Sequence, residues 1–187
     1  MPPSDRDRWN ERYAAQAERS APSPFLGEVA DLLPRRGRAL DLAGGAGRHA
    51  LWLARRGLSV TLVDVSDVAL ARAEEAARAE GLVIATAHLD LLVSPPPPGP
   101  WDFVLCTYFL HRPLFQAFAG LLAPGGLLAF AHPTRKNLER HPRPGPDHLL
   151  DEGELASLVT GLEILRLQEG WTESGRHEAR LLARKPP

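Results

Sequence analysis

Short runs in which nearly every position is apolar recur along the chain, and between them lie stretches where apolar residues return every three or four positions. The first kind reads as strands covered on both faces, the second as amphipathic helices. "RALDL" (38–42) predicts a first strand. "GRHALWLARRG" (47–57) predicts a helix ended by Arg55, Arg56 and Gly57, and "LSVTLVDV" (58–65) a second strand. A helix from Ser66 to Glu80, stopped by Gly81, leads to a third strand in "LVIATAHLD" (82–90). "SPPPPGP" is too proline-rich for a sheet and reads as a stiff extended connector. "WDFVLCT" follows as the fourth strand, "RPLFQAFAGLL" as a helix and "GGLLAFAHP" as the fifth strand. A polar loop, "TRKNLERHPRPGPDH", and a short helix in "DEGELASLV" lead to two last strands, "LEILRLQEGW" and "HEARLLARK", joined by the turn "TESGR". Ahead of the first strand, Ser4 and Asp5 cap one helix in "SDRDRWNERYAAQAERS", and Ser23 with Pro24 opens another in "SPFLGEVADLL".

Strands alternating with helices predict an α/β fold: a doubly wound sheet of seven strands, mostly parallel, with a C-terminal antiparallel hairpin at one edge. No internal repeat or composition break divides the chain. The expectation is one domain over residues 1–187, with an N-terminal helical cap (1–34) on a core (35–187).

Composition narrows the setting. A net charge of −1 provides no global field to gather nucleic acid or an anionic membrane, so any large partner is recognised locally. Cys106 is the only cysteine, which excludes an intramolecular disulfide. The charged N-terminus has no apolar signal segment, and no stretch approaches the roughly 20 apolar residues of a membrane span. A cytoplasmic protein, monomeric or homodimeric, is expected. Cys106 with His111, or His141 with His148, lacks a ligand spacing, so no metal site is expected.

Candidate chemistry gathers where ligands bind in such sheets, beyond the carboxyl ends of the strands. The loop "DLAGGAG" (41–47) lets backbone approach a ligand at Gly44, Gly45 and Gly47, and the helix start behind it favours an anion, either a pyrophosphate or an amino-acid carboxylate. "GAGRHA" fits a dinucleotide fingerprint with Asp64 as the ribose acid, which keeps an NAD(P)-dependent oxidoreductase in view. Asp41 speaks against it, because a carboxylate at the end of the first strand repels pyrophosphate and attracts an ammonium or sulfonium. Asp64 at the second strand end suits a ribose diol, or caps the following helix. Asp90 at the third suits an adenine amino group beside Leu89, Leu91 or Val65, or is an ordinary loop acid. S-adenosylmethionine carries an ammonium, a diol and an exocyclic amine.

On these residues the chain resembles the class I S-adenosylmethionine-dependent methyltransferases, Rossmann-like enzymes, over nearly its whole length. "DLAGGAG" follows their first motif except that Ala43 replaces the usual first glycine. "LVDVS", "LDL", "WDFVLC" and "LLAPGGLLAF" match the later ones. "WNERY", "FLHRPLF" and "HLLDEGEL" look most like the small tellurite-resistance (TehB-like) and thiopurine-methyltransferase-like branch. The resemblance implies a cofactor site of Asp41, Ala43, Gly44, Gly45, Gly47, Asp64, Val65, Asp90, Leu91 and Cys106, with Arg12 or Tyr13 folded over it. Trp9 reads as packing between cap and core.

The acceptor side is less determined. Tyr108 and Phe109 either wall an acceptor pocket or belong to the core. His111 and His132 either serve as a base or hydrogen-bond donor or cap strand ends. A small-molecule acceptor fits best, since "CTYF" stands where many base-amino methyltransferases carry "NPPY" or "DPPY". A soft S, Se or Te anion needs no base, whereas an oxygen nucleophile can require one. A non-catalytic S-adenosylmethionine-binding protein is the remaining alternative.

Overall fold

The computed structural model describes residues 4–16 and 20–187. The predicted first helix continues into 17–19, which lie outside the described residues. What is described is α1 (Asp5–Ala15), opened by a reciprocal capping box in which the Ser4 hydroxyl accepts from the Asp7 amide and the Asp7 carboxylate takes the Ser4 amide. α2 (Pro24–Glu28) is shorter than predicted. The chain tightens into a single 3-10 turn at 30–32, and Phe25, Leu26, Val29 and Leu33 are buried.

The strands fall close to where apolar continuity placed them: β1 (Arg38–Leu42), β2 (Ser59–Asp64), β3 (Ile84–His88), β4 (Trp101–Thr107), β5 (Leu122–Pro133), β6 (Glu163–Trp171) and β7 (His177–Arg184). Between them lie α3 (Arg48–Arg55), α4 (Asp67–Ala79), α5 (Phe115–Leu121) and α6 (Glu154–Leu158). The Ser66 hydroxyl caps α4 by accepting from the Ala69 amide. Together the strands make one seven-stranded sheet in the order β3-β2-β1-β4-β5-β7-β6. The predicted hairpin is present, with one refinement. Only β7 runs against the rest: it inserts between β5 and β6 and pairs antiparallel with both, which leaves β6 parallel to the central strands.

Alternation along the buried strands feeds two cores. Leu40, Leu42, Val104, Cys106, Leu128 and Phe130 face the layer of α5 and α6, where Phe115, Phe118 and Phe130 form an edge-packed aromatic trio. Ala39, Leu62, Phe103, Leu105, Ala129 and Leu182 face α2, α3 and α4. The order reverses between β1 and β4, so a crevice opens there, beyond the strands' carboxyl ends. Among the described residues no helix is long and apolar enough to cross a membrane.

Candidate functional site

The glycine loop lies between two layers. Beneath it, a Cβ at Gly44 would sit 2.3 Å from Leu62 Cδ1 and 2.5 Å from Asp41 Oδ2. Above it, a Cβ at Gly45 would sit 2.0 Å from Tyr13 Oη. Of the two residues expected to fold over the loop, Tyr13 does so. Arg12 instead stands over the Trp9 ring at 5.1 Å. Trp9 does not fill a space between cap and core: it is 36% exposed, beside Tyr13 on an α1 that buries no residue. That helix is held by polar contacts. Arg6 and Asn10 both bond the Asp67 carboxylate, Asn10 Oδ1 accepts from the Ser66 hydroxyl, and Arg72 donates to the Tyr13 carbonyl. Burial and the nearby Asp64 charge push the Tyr13 phenol up to about 12, so it stays a neutral donor.

Asp41 is fully buried, and neither of its carboxylate oxygens has a hydrogen-bond partner among the described residues. Burial pushes its carboxyl up to about 7. The Arg48 guanidinium pulls the other way, and the Ala50 amide does so without closing a hydrogen bond of normal geometry. A buried, unpartnered acid is costly and calls for a cationic donor. Asp64 is also buried, and burial raises its carboxyl. Its Oδ2 accepts from the Gly45 amide and its Oδ1 from the Ser66 amide, both at 2.8 Å, which fixes the loop to the start of α4. Asp90 is half-buried, with Oδ1 taken by the Leu92 amide, and Leu91 is buried beside it. Val65 is half-buried, and its carbonyl accepts from His88 Nε2. Three acids thus stand at the ends of β1, β2 and β3, along one edge of the crevice.

Ala43 adopts φ +51°, the left-handed region that glycine enters freely, at a cost of roughly 1 kcal/mol for a Cβ-bearing residue. The departure from the glycine motif is thus a backbone cost at the turn itself. Cys106 is wholly buried in the core layer that faces α5 and α6, its thiol 3.7 Å from the Phe109 carbonyl, and burial pushes that thiol far up.

On the acceptor side the expected residues part company. His132 is buried, with Nε2 2.8 Å from the His148 carbonyl. A carbonyl only accepts, so Nε2 carries the proton and Nδ1, shielded and unpartnered, carries the lone pair. Burial pushes this imidazole down to about 4, so it is neutral and tied to the segment between β5 and α6. His111 is half-buried near Phe109, with no hydrogen-bond partner among the described residues to orient it. Tyr108 is held most firmly. It sits at φ +58°, and its hydroxyl donates to Glu178 Oε1 at 2.8 Å. Burial and the Glu178 charge raise its phenol.

Several residues here carry no local signal in the sequence. His49, one position into α3, accepts the Ser23 amide on Nε2 and contacts the Thr107 hydroxyl through Nδ1, tying the start of α3 to the end of β4. Burial pushes it down to about 3. The unfolded chain therefore takes up a proton below about pH 6.5 that the folded protein refuses, and stability falls as pH drops. His49→Leu is expected to remove about 1.4 kcal/mol per pH unit from that slope between pH 4 and 6.5, read by urea denaturation across pH. Arg48 and Arg176 both stand over the Tyr108 ring, at 5.1 and 5.3 Å. Glu178 and Arg176 lie on or beside β7, some 70 residues from Tyr108, and only the antiparallel insertion of that strand brings them to the crevice.

Comparison with known proteins agrees with this geometry. Residues 39–126 match the methyltransferase domain family. The tRNA 5-carboxymethoxyuridine methyltransferase of Escherichia coli K12 is 32% identical over 123 residues, 60% of this chain and 46% of that protein, so the chain matches about half the length of this curated relative. Among solved structures, TehB from Haemophilus influenzae superposes with a TM-score of 0.72 at 24% identity, over 96% of this chain and 66% of that one. A structure described under the conversion of a disulfide bond into a thioacetal group during echinomycin biosynthesis gives 0.75 at 22%, over 97% of this chain and 92% of that one. Residues 39–126 are thus similar in sequence to the methyltransferase domain family, and the chain as a whole shares the fold of TehB.

Proposed function

We propose that this protein moves a methyl group from S-adenosylmethionine to an acceptor seated in the crevice between β1 and β4. The observation that carries the reading is Asp41, a buried carboxylate with no partner at the mouth of a glycine loop. Its charge suits the ammonium of a methionine moiety and repels a pyrophosphate, which weighs against the nicotinamide reading. Sheet order weighs the same way, because an antiparallel β7 between β5 and β6 departs from the all-parallel dinucleotide fold.

When bound, S-adenosylmethionine supplies a methyl group on a sulfonium whose departure leaves a neutral thioether. Asp41 would hold the ammonium of the methionine end, which the backbone of Gly44, Gly45 and Gly47 leaves room for; Asp64 would take the ribose hydroxyls and Asp90 the adenine amine, with Leu89, Leu91 and Val65 as apolar walls. Tyr13 covers the loop and excludes water from the reacting centre. Proximity and dryness, more than acid–base chemistry, are what the chain contributes. The buried Cys106 thiol suits a reducing, cytoplasmic setting. A small-molecule acceptor is the main reading. The Escherichia coli relative favours a second, in which the acceptor is part of a tRNA.

The test is calorimetric titration with S-adenosylhomocysteine. Wild type is expected to bind, and Asp64→Asn to bind at least tenfold more weakly while remaining folded, because the loop loses its ionic anchor. A folded wild type that ignores this compound and is stabilised by NADH overturns the reading. Cofactor binding without methyl transfer to small molecules or to bulk tRNA leaves the non-catalytic alternative.

A further inference from the structure

Arg48 and Arg176 bring two like charges to one aromatic ring, and neither has a carboxylate within ion-pair distance among the described residues. The one acid at this ring, Glu178, is 2% exposed and is engaged by the Tyr108 hydroxyl. A ring face offsets a guanidinium by about 0.5–1 kcal/mol, too little to make two such neighbours comfortable. The arrangement is nonetheless built with care. Arg48 adjoins His49, which bonds Ser23 and Thr107. Tyr108 adjoins Thr107. Arg176 adjoins His177, whose imidazole meets the Thr134 hydroxyl at 2.7 Å and whose amide donates to Asn137 Oδ1. Each member of the trio is thus set by a buried neighbour: Arg48 directly follows the glycine loop, and Tyr108 and Arg176 reach it from the end of β4 and the start of β7.

The groups that would deprotonate an acceptor do not converge here. His132 keeps its lone pair shielded, the Tyr108 hydroxyl is committed to Glu178, and the His111 imidazole has no hydrogen-bond partner among the described residues to orient it. An amine would be repelled by the two cations, and an alcohol would lack a positioned base. A carboxylate meets both conditions, since it is anionic and arrives deprotonated, and, unlike a soft S, Se or Te anion, it presents two oxygens that match the guanidinium fork.

We propose that the methyl acceptor presents a carboxylate to Arg48 and Arg176 beside Tyr108, and that the product is its methyl ester. This rests on the methyl-transfer reading above. A carboxylate oxygen forms a bond to the methyl carbon as the carbon–sulfur bond breaks. The electron pair of that bond stays on sulfur, anion and sulfonium cancel, and no proton moves.

The test uses protein saturated with S-adenosylhomocysteine, titrated with phenoxyacetate and with the neutral phenoxyacetamide, each free and tethered to an RNA oligonucleotide. Phenoxyacetate is expected to bind and the amide not to. Arg176→Ala is expected to weaken the carboxylate at least tenfold while S-adenosylhomocysteine affinity stays within twofold, with Arg176→Lys between the two. Mass spectrometry after S-adenosylmethionine is supplied should find the methyl ester. Binding of the tethered acid alone, still dependent on Arg176, assigns the carboxylate to an RNA source; binding of the free acid assigns it to a small molecule. Equal binding of acid and amide, no binding of either, or no effect of Arg176→Ala overturns this inference. Loss of S-adenosylhomocysteine binding by wild type overturns the methyl-transfer reading instead.

Discussion

Asp41→Asn is expected to make the protein more stable at pH 8 and to weaken S-adenosylmethionine binding by about 100-fold. The two effects share one cause. Burial raises the Asp41 carboxyl from its ordinary value to about 7. Between roughly pH 4 and 7 the folded protein therefore holds a proton that the unfolded chain has lost, and stability declines as pH rises through that window. The full difference is on the order of 4 kcal/mol, an upper limit because buried sites relax. A neutral asparagine of the same size escapes it, so urea denaturation should show a gain on the order of 2 kcal/mol at pH 8 that disappears below pH 4. The bound cofactor's ammonium offsets the same cost in the wild type, and truncating one member of such a pair costs about 3 kcal/mol. Binding to wild type should release a proton near neutrality, so affinity should rise with pH up to about 7 and then level off. An asparagine variant that is less stable at pH 8 and binds as tightly as wild type would show that Asp41 is a structural acid and no ligand group.

Much of this fold was legible because the signals are local. The central strands show in the sequence as apolar runs, and the bounds of β1 and β4 match those at 38–42 and 101–107. Ser4, Ser23 and Ser66 mark helix starts, and Gly57 and Gly81 have the positive φ of helix stops. The acids at the ends of β1, β2 and β3 follow from the same register, since each stands where an apolar run ends. What escaped were relations between distant segments. Nothing around Arg176 or Glu178 says that β7 will carry them to Tyr108, or that Tyr108 will take a left-handed backbone to meet them. His132 sits at a strand end, as an acceptor-side base should, and only packing shows its Nδ1 sealed and its Nε2 bonded to His148. Cys106, which the resemblance assigns to the cofactor site, is fully buried in the core.

Gly44→Ala and Gly45→Ala, adjacent and chemically identical changes, are expected to fail in different ways. A methyl at Gly44 meets Leu62 Cδ1 and Asp41 Oδ2, groups that belong to the sheet and its core. Neither has room to retreat, so overpacking should cost about 2–3 kcal/mol and lower the melting temperature by well over 5 °C. A methyl at Gly45 meets only the Tyr13 phenol, on a helix that buries no residue and is held through Asn10, Asp67 and Arg72. That helix can lift. Stability should then fall by only the roughly 1 kcal/mol of a Cβ at φ +58°, while S-adenosylhomocysteine affinity drops at least tenfold and proteolysis near residues 4–16 accelerates. Combining Gly45→Ala with Tyr13→Ala separates the two costs. If Tyr13 is the lid over the loop, the double variant should recover protease resistance no further than Tyr13→Ala alone, because the lid is lost either way. If both glycine variants destabilise the fold alike, α1 is part of the core's stability, and Tyr13 cannot be a cover that moves independently of the loop beneath it.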